Sequence, residues 1–271
     1  SPGFDLNDMG YMKETDYLMN ETEIMYRQTD IWKIFRYNAF TLSQKNMWNY
    51  GGTPFSNNAS LRWQSMTMNR YEWDVKETFA WNWLDSRLLR GGPDVRFGSY
   101  FLTSAKFNTD KAKRMMFMLK YEGDHNFEGN RFNTISPSLT FRLGNHVYLS
   151  GQLDYAWNTD EMQYVATTSP LSSSSLAPYY YVMGHMDQKT YGLTLKLQVN
   201  VTPDISIQFY GAPFTSIAKY DDFKLAADTK SHTFENRFQR IDPDQLTYAD
   251  GVYTIGEGAG QMPFRNPDFR F

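Results

Sequence analysis

The chain has 271 residues, 41% hydrophobic and 17% aromatic, with a formal net charge of −3. Its mean hydropathy is −0.60 and its pI near 5.8, so it carries no basic footprint for nucleic acid, and no apolar run is long enough for a membrane-spanning helix. It contains no cysteine, which removes disulfide and thiol chemistry.

The opening residues, SPGFDLNDMGYM, lack the positive region and apolar stretch of a secretory signal. An exported protein needs one, so the sequence reads as an internal or processed part of a longer precursor. Candidate strands follow at Thr15–Arg27, Ile31–Lys45 and Leu61–Met68. Between the last two lies Met47–Phe55, whose Trp48 and Tyr50 offer aromatic faces for stacking a sugar or for a membrane-interface girdle.

Tyr71–Leu84 alternates clearly, because successive strand side chains point to opposite faces. Tyr71, Trp73, Val75, Phe79, Trp81 and Trp83 fall on one face, and Glu72, Asp74, Lys76, Thr78 and Asn82 on the other. Glu77 falls on the oily side, which is tolerable near a membrane interface and not at mid-bilayer. Val95–Phe107, Arg114–Glu122 (with Lys120 and Glu122) and Asn133–Leu143 are further strand candidates.

Two segments show the pattern best. In His146–Asn158, Val147, Leu149, Leu153, Tyr155 and Trp157 oppose Ser150, Gln152, Asp154 and Asn158. In Tyr191–Thr202, Leu193, Leu195, Leu197 and Val199 oppose Thr194, Lys196, Gln198 and Asn200. Each is about 11 residues long and ends in aromatics, the length and dressing of a strand crossing a bilayer at a tilt. Ile205–Phe214 alternates again after the turn Thr202-Pro203-Asp204.

Connections support the same reading. Those at Gln28–Asp30, Asn69-Arg70, Asn108–Ala112, Gly144-Asn145 and Pro203-Asp204 are short. Between them fall longer polar stretches at Trp48–Asn58, Arg87–Asp94, His125–Arg131, Val165–Ala177 and beyond Lys219. The Ser-rich tip Thr167–Ala177 is expected to be mobile. Short turns on one side and long loops on the other is the asymmetry of outer-membrane barrels.

The fold expected is therefore all-β: part of an antiparallel transmembrane outer-membrane β-barrel of about ten strands, with short periplasmic turns and long extracellular loops. Residues 1–220 supply its strands and loops, and 221–271 read as a long loop or tail leading to closing strands. The lipid-facing set is Val147, Leu149, Leu153, Leu193, Leu195, Leu197 and Val199. The lumen-facing set is Glu72, Asp74, Lys76, Lys120, Glu122, Asp154, Lys196 and Gln198. Mixed charge in that set argues against a strongly ion-selective pore.

No catalytic or metal set stands out. His125 follows Glu122-Gly123-Asp124, and Asp242 and Asp244 flank Pro243, but both clusters lack the converging ligands a dedicated site needs. No GxSxG, HExxH, P-loop or dinucleotide fingerprint occurs. No cofactor is expected.

SPGFDLNDMGYM, DQKTYGLTLKLQVNVTPDISIQFYGAPF, YDDFK and NPDFRF resemble a Bacteroidota family of unknown role. Its members join an N-terminal domain similar to family-nine carbohydrate-binding modules to a C-terminal outer-membrane barrel. The resemblance implies that this chain is the later part of that barrel, without the carbohydrate-binding-like domain, and it supplies no catalytic residues. Expected partners are outer-membrane lipid, other outer-membrane proteins and glycans, with no nucleic acid. The function expected is envelope transport or assembly, or a place in a surface glycan-handling complex. A membrane-anchored carbohydrate-active enzyme or binder and a soluble β-rich interaction protein remain as alternatives.

Overall fold

The structure is a computed structural model that describes residues 17–81, 83–144, 146–171, 178–202 and 204–271, without the side chains of Phe55 and Ala259. The chain is all-β and antiparallel with almost no helix. Its strands are β1 (Leu18–Gln28), β2 (Phe35–Trp48), β3 (Pro54–Thr67), β4 (Glu72–Trp81), β5 (Trp83–Asp85), β6 (Val95–Phe97), β7 (Tyr100–Asn108), β8 (Met115–Asn126) and β9 (Arg131–Leu143). They continue with β10 (Val147–Thr168), β11 (Tyr180–Asn200), β12 (Ser206–Gly211), β13 (Phe214–Ala226), β14 (Phe238–Arg240), β15 (Leu246–Ala249), β16 (Val252–Ile255), β17 (Met262–Arg265) and β18 (Phe269–Arg270). Among the described residues one α-helical turn, α1, spans Phe234–Arg237.

One meandering sheet dominates, in the order β1-β2-β3-β4-β7-β8-β9-β10-β11-β13-β14. β12 and β13 share β11 as partner, end to end, across the break at Pro213. Among the described residues β1 pairs with β2 alone, so the sheet does not close on itself.

Register keeps the two faces distinct over the whole sheet. Phe40, Trp63, Val75, Ala105, Tyr121, Ile135, Tyr155 and Tyr191 lie in one row of paired residues. The neighbouring row, on the opposite face, holds Thr41, Arg62, Lys76, Ser104, Glu122, Thr134, Ala156 and Thr190.

Burial on these faces runs opposite to that of a water-soluble sheet. On the apolar face Leu61 is 56%, Leu153 58% and Ile207 58% exposed, and Leu42, Trp73, Phe117, Leu139 and Leu195 are exposed too. On the polar face the short side chains of Thr41, Ser60, Thr78, Ser136, Thr140 and Ser216 are buried. Among the described residues no second layer packs over that part of the sheet. Several of these short groups bond to neighbours on the same face, Ser60 to Ser43 and Ser136 to Asp154 at 2.6 Å each and Thr140 to Ser150 at 3.3 Å.

Connections at one end are 29–34, 68–71, 109–114, 144–146 and 201–205; those at the other are 49–53, 82–99, 127–130 and 169–179. Two stretches expected to be long, Trp48–Asn58 and His125–Arg131, are tight turns because their strands run further than alternation suggested. Asn49 Oδ1 accepts from Thr53 N at 2.8 Å, and Asn126 Oδ1 accepts from the N–H of Glu128 and Asn130 at 2.9 Å each. Residues 172–177 of the Ser-rich tip, Asn82, Asn145, Pro203 and the opening segment to residue 16 lie outside the described residues.

β10 and β11, at 22 and 21 residues, run well past β9 at this second end, while β13 follows β11 as far as Val182. Their projecting hairpin is covered on both faces. Met183 packs with Leu89, Val95, Met162 and Phe238. Adjacent Val182, pointing the other way, packs with Phe223, Ile255 and Phe264, where the small β15-β16-β17 sheet lies. β13 runs to Ala226, past the boundary drawn at residue 220, and 227–271 fold back onto the sheet through β14, β15–β17 and β18. Asp222, at φ 45°, bulges β13 and masks its alternation.

Candidate functional site

The polar residues singled out from the sequence share one face and are mostly bonded there. Arg62 grips Asp74 with two hydrogen bonds of 2.7 and 2.5 Å, and Gln64 donates to the same carboxylate at 3.2 Å. Glu72 pairs with Lys111, and Lys120 with Glu122 at 2.7 Å. Ser136 and Gln152 donate to Asp154 at 2.6 and 2.8 Å. Lys196 sits over the Tyr210 ring at 5.7 Å, and Gln198 donates to Asn200 at 3.2 Å. Lys76 lies in register between Arg62 and Ser104.

On the opposite face, Val147 faces Val199, Leu149 faces Leu197, and Leu153 faces Leu193, with Leu195 opposite Gly151. Leu149, Leu153 and Leu195 are exposed, and the other four half-buried. Tyr155, Trp157 and Tyr191 stack at the upper limit of this strip, with ring centroids 4.9–5.1 Å apart. Trp157 shares its row with Asn133, Gly123, Thr103, Glu77 and Lys189. Glu77, on the apolar face, lies in register between Leu61 and Thr103 and accepts from Thr103 Oγ1 at 2.7 Å.

Past this row, on the polar face, the sheet and the β5–β6 hairpin line an open cavity of about 650 Å³. Trp83, Phe97, Tyr100 and Phe132 supply aromatic walls, with Leu102 and Met186 beside them. Polar lining comes from Asp124, Asn126, Asn130, Arg131, Asn158, Asp160 and Gln163. Trp83 was expected on the apolar face. The chain leaves β4 after Trp81, and the β5–β6 hairpin carries Trp83 over to Tyr100, at 5.5 Å between rings.

The cavity carboxylates differ from those lower on the polar face. Neither Asp124 nor Asp160 has an ion-pair partner among the described residues. Burial pushes the Asp160 carboxyl above its ordinary range, against the opposing hydrogen bond from the Met162 N–H at 2.9 Å. Burial also raises Asp124, and the charge of Asp160 adds to the rise. Desolvation lifts the Tyr100 hydroxyl too, so it stays protonated. A concave aromatic site with a few convergent polar groups is the ordinary form of a ligand pocket.

Residues 1–248 match a family described as a domain of unknown function, DUF5916. The chain belongs to that family. No curated protein and no solved structure matches it. As a member of this domain family, the chain inherits no assigned chemistry, and its site must be read from its own residues.

Trp48 and Tyr50 lie apart from the cavity lining: Trp48 ends β2 opposite Leu18, and Tyr50 is exposed in the 49–53 turn. His125 stacks on Phe101 at 5.5 Å, and His185 sits 3.1 Å from Glu161. Asp242 stands at the N-cap of a 3-10 turn over Pro243–Gln245 that contains Asp244. The described residues hold no group of three or more metal-ligand side chains. Sequence reading missed the cavity because its walls come from distant strands. The one local signal was parity, which places Asp124, Asn158 and Asp160 on the polar face with Glu122 and Asp154.

Proposed function

We propose that this chain is part of the wall of an outer-membrane β-barrel, serving transport or assembly in the bacterial envelope, with lipid over its apolar face and its polar face turned to a lumen. The observation that carries this reading is the reversed burial. A broad strip of Leu, Phe and Trp is exposed while Ser and Thr on the opposite face are hidden. Contiguous apolar patches on soluble proteins rarely exceed a few hundred Å², whereas a barrel wall needs one as tall as the hydrocarbon layer. The paired charges on the polar face are inexpensive beside water and costly in hydrocarbon. No described helix is long and apolar enough to cross a membrane, so strands do the crossing in this reading.

Membrane fractionation of cells making the full-length protein tests it. Retention in the outer-membrane fraction after high-salt and alkaline washes, with release by detergent, is expected. Release by the washes alone overturns the proposal.

A further inference from the structure

The cavity at the loop end calls for its own account, because its two carboxylates have no ion-pair partner among the described residues and stand beside aromatic walls. We infer that it is a binding site for a neutral polyhydroxylated ligand, a short oligosaccharide, held between the Trp83 and Tyr100 rings and the side chains of Asn126, Asn130, Asp124 and Asp160. This goes beyond the barrel reading and is independent of what covers the apolar face.

Three observations favour that class of ligand. First, the two asparagines present defined donors. Asn126 Oδ1 is occupied by the N–H groups of Glu128 and Asn130, and Asn130 Oδ1 by the N–H of Glu161 at 2.6 Å. Reversing either amide sets NH2 against a backbone N–H, so the free ends are the NH2 groups. Second, the carboxylates of Asp124 and Asp160 are acceptors with no salt-bridge partner among the described residues. Adjacent ring hydroxyls, each donating and accepting, match donors and acceptors placed side by side. Third, the walls are aromatic, and a sugar ring has an apolar C–H face that stacks on such rings.

A cationic ligand fits less well. It satisfies the carboxylates, leaves the asparagine donors unused and meets Arg131 at the lining. The volume of about 650 Å³ lies in the usual range for small-ligand sites.

The test is calorimetric titration of the purified full-length protein in detergent. The probes are maltotriose, cellotriose and mannotriose, with spermidine as the cationic probe. At least one trisaccharide is expected to bind, and spermidine to bind more weakly than it. Asn126→Asp keeps both acceptors of the turn while removing the NH2 donors, and Trp83→Ala removes a wall. Each is expected to weaken the trisaccharide at least tenfold. If Trp83→Ala does not fold, Asn126→Asp decides. The inference is overturned if no trisaccharide binds, if spermidine binds in its place, or if Asn126→Asp leaves trisaccharide affinity unchanged.

Discussion

The two ends of β10 and β11 follow opposite burial rules. From Val147 to Trp157, and from Tyr191 to Asn200, large apolar side chains are exposed or half-buried on one face, while the other face is polar. From Thr159 to Thr168, and from Tyr180 to Lys189, the same two strands bury Met162, Val182, Met183 and Met186 under loops and a second small sheet. Only the second arrangement is what water alone demands. In the reading proposed above, the difference reflects two solvents along one hairpin, hydrocarbon beside the first half and water around the second, with Tyr155, Trp157 and Tyr191 at the division. Aromatic rings collect at that level in membrane proteins.

The second half holds a fully buried cation, and it is paired. Arg237 is fully buried, donates to the Arg96 carbonyl and to Glu128, and lies 5.2 Å from the Phe234 ring. Arg237→Met leaves Glu128 without its cation, so a loss of about 3–5 kcal/mol is expected in urea unfolding of the detergent-solubilised protein. A loss below about 1 kcal/mol breaks the view that this pair locks the 227–238 segment to the cavity rim.

The lipid-side half predicts the next largest effect. Leu195→Arg, on the apolar face, is expected to cost about 2–4 kcal/mol when the protein is folded into vesicles. Gln198→Arg, on the polar face and near the same depth, is expected to cost little. Equal tolerance at both positions contradicts the division of faces.

The smallest effect concerns Asp160, at the boundary. Its carboxyl is raised in the fold, so it binds more protons folded than unfolded between the ordinary and the raised value. Stability is therefore full below the ordinary carboxylate range and falls as pH climbs through the raised value. Asp160→Asn keeps an acceptor for the Met162 N–H and removes the charge. A modest rise in unfolding temperature is expected at about pH 7, shrinking to nothing toward about pH 4. A difference that is flat across that range contradicts the desolvation of this group.

Legibility in the sequence followed the same division. Alternation assigned Asp74 and Lys196 to one face and Leu149, Leu153 and Leu195 to the other, a pattern readable wherever the two faces of a sheet have unlike surroundings. It failed where both faces are apolar, as at Val182 and Met183, since no period of two survives there. It failed again where bulges reset parity, between Asp160 and Gln163 and between Tyr164 and Ala166. The cavity was invisible for a different reason. Trp83, Asp124, Asn130 and Asp160 are ordinary residues on separate strands, and only the pairing of those strands brings them together.

The absence of cysteine from the chain makes one measurement especially direct. Leu195→Cys and Lys196→Cys, each carrying a nitroxide label in reconstituted vesicles, report which reagent reaches adjacent positions on opposite faces. Molecular oxygen concentrates in hydrocarbon, and a neutral nickel chelate stays in water. The account predicts that the label at 195 is relaxed mainly by oxygen and the label at 196 mainly by the chelate. Equal access of the chelate to both positions, or greater access at 195, contradicts it.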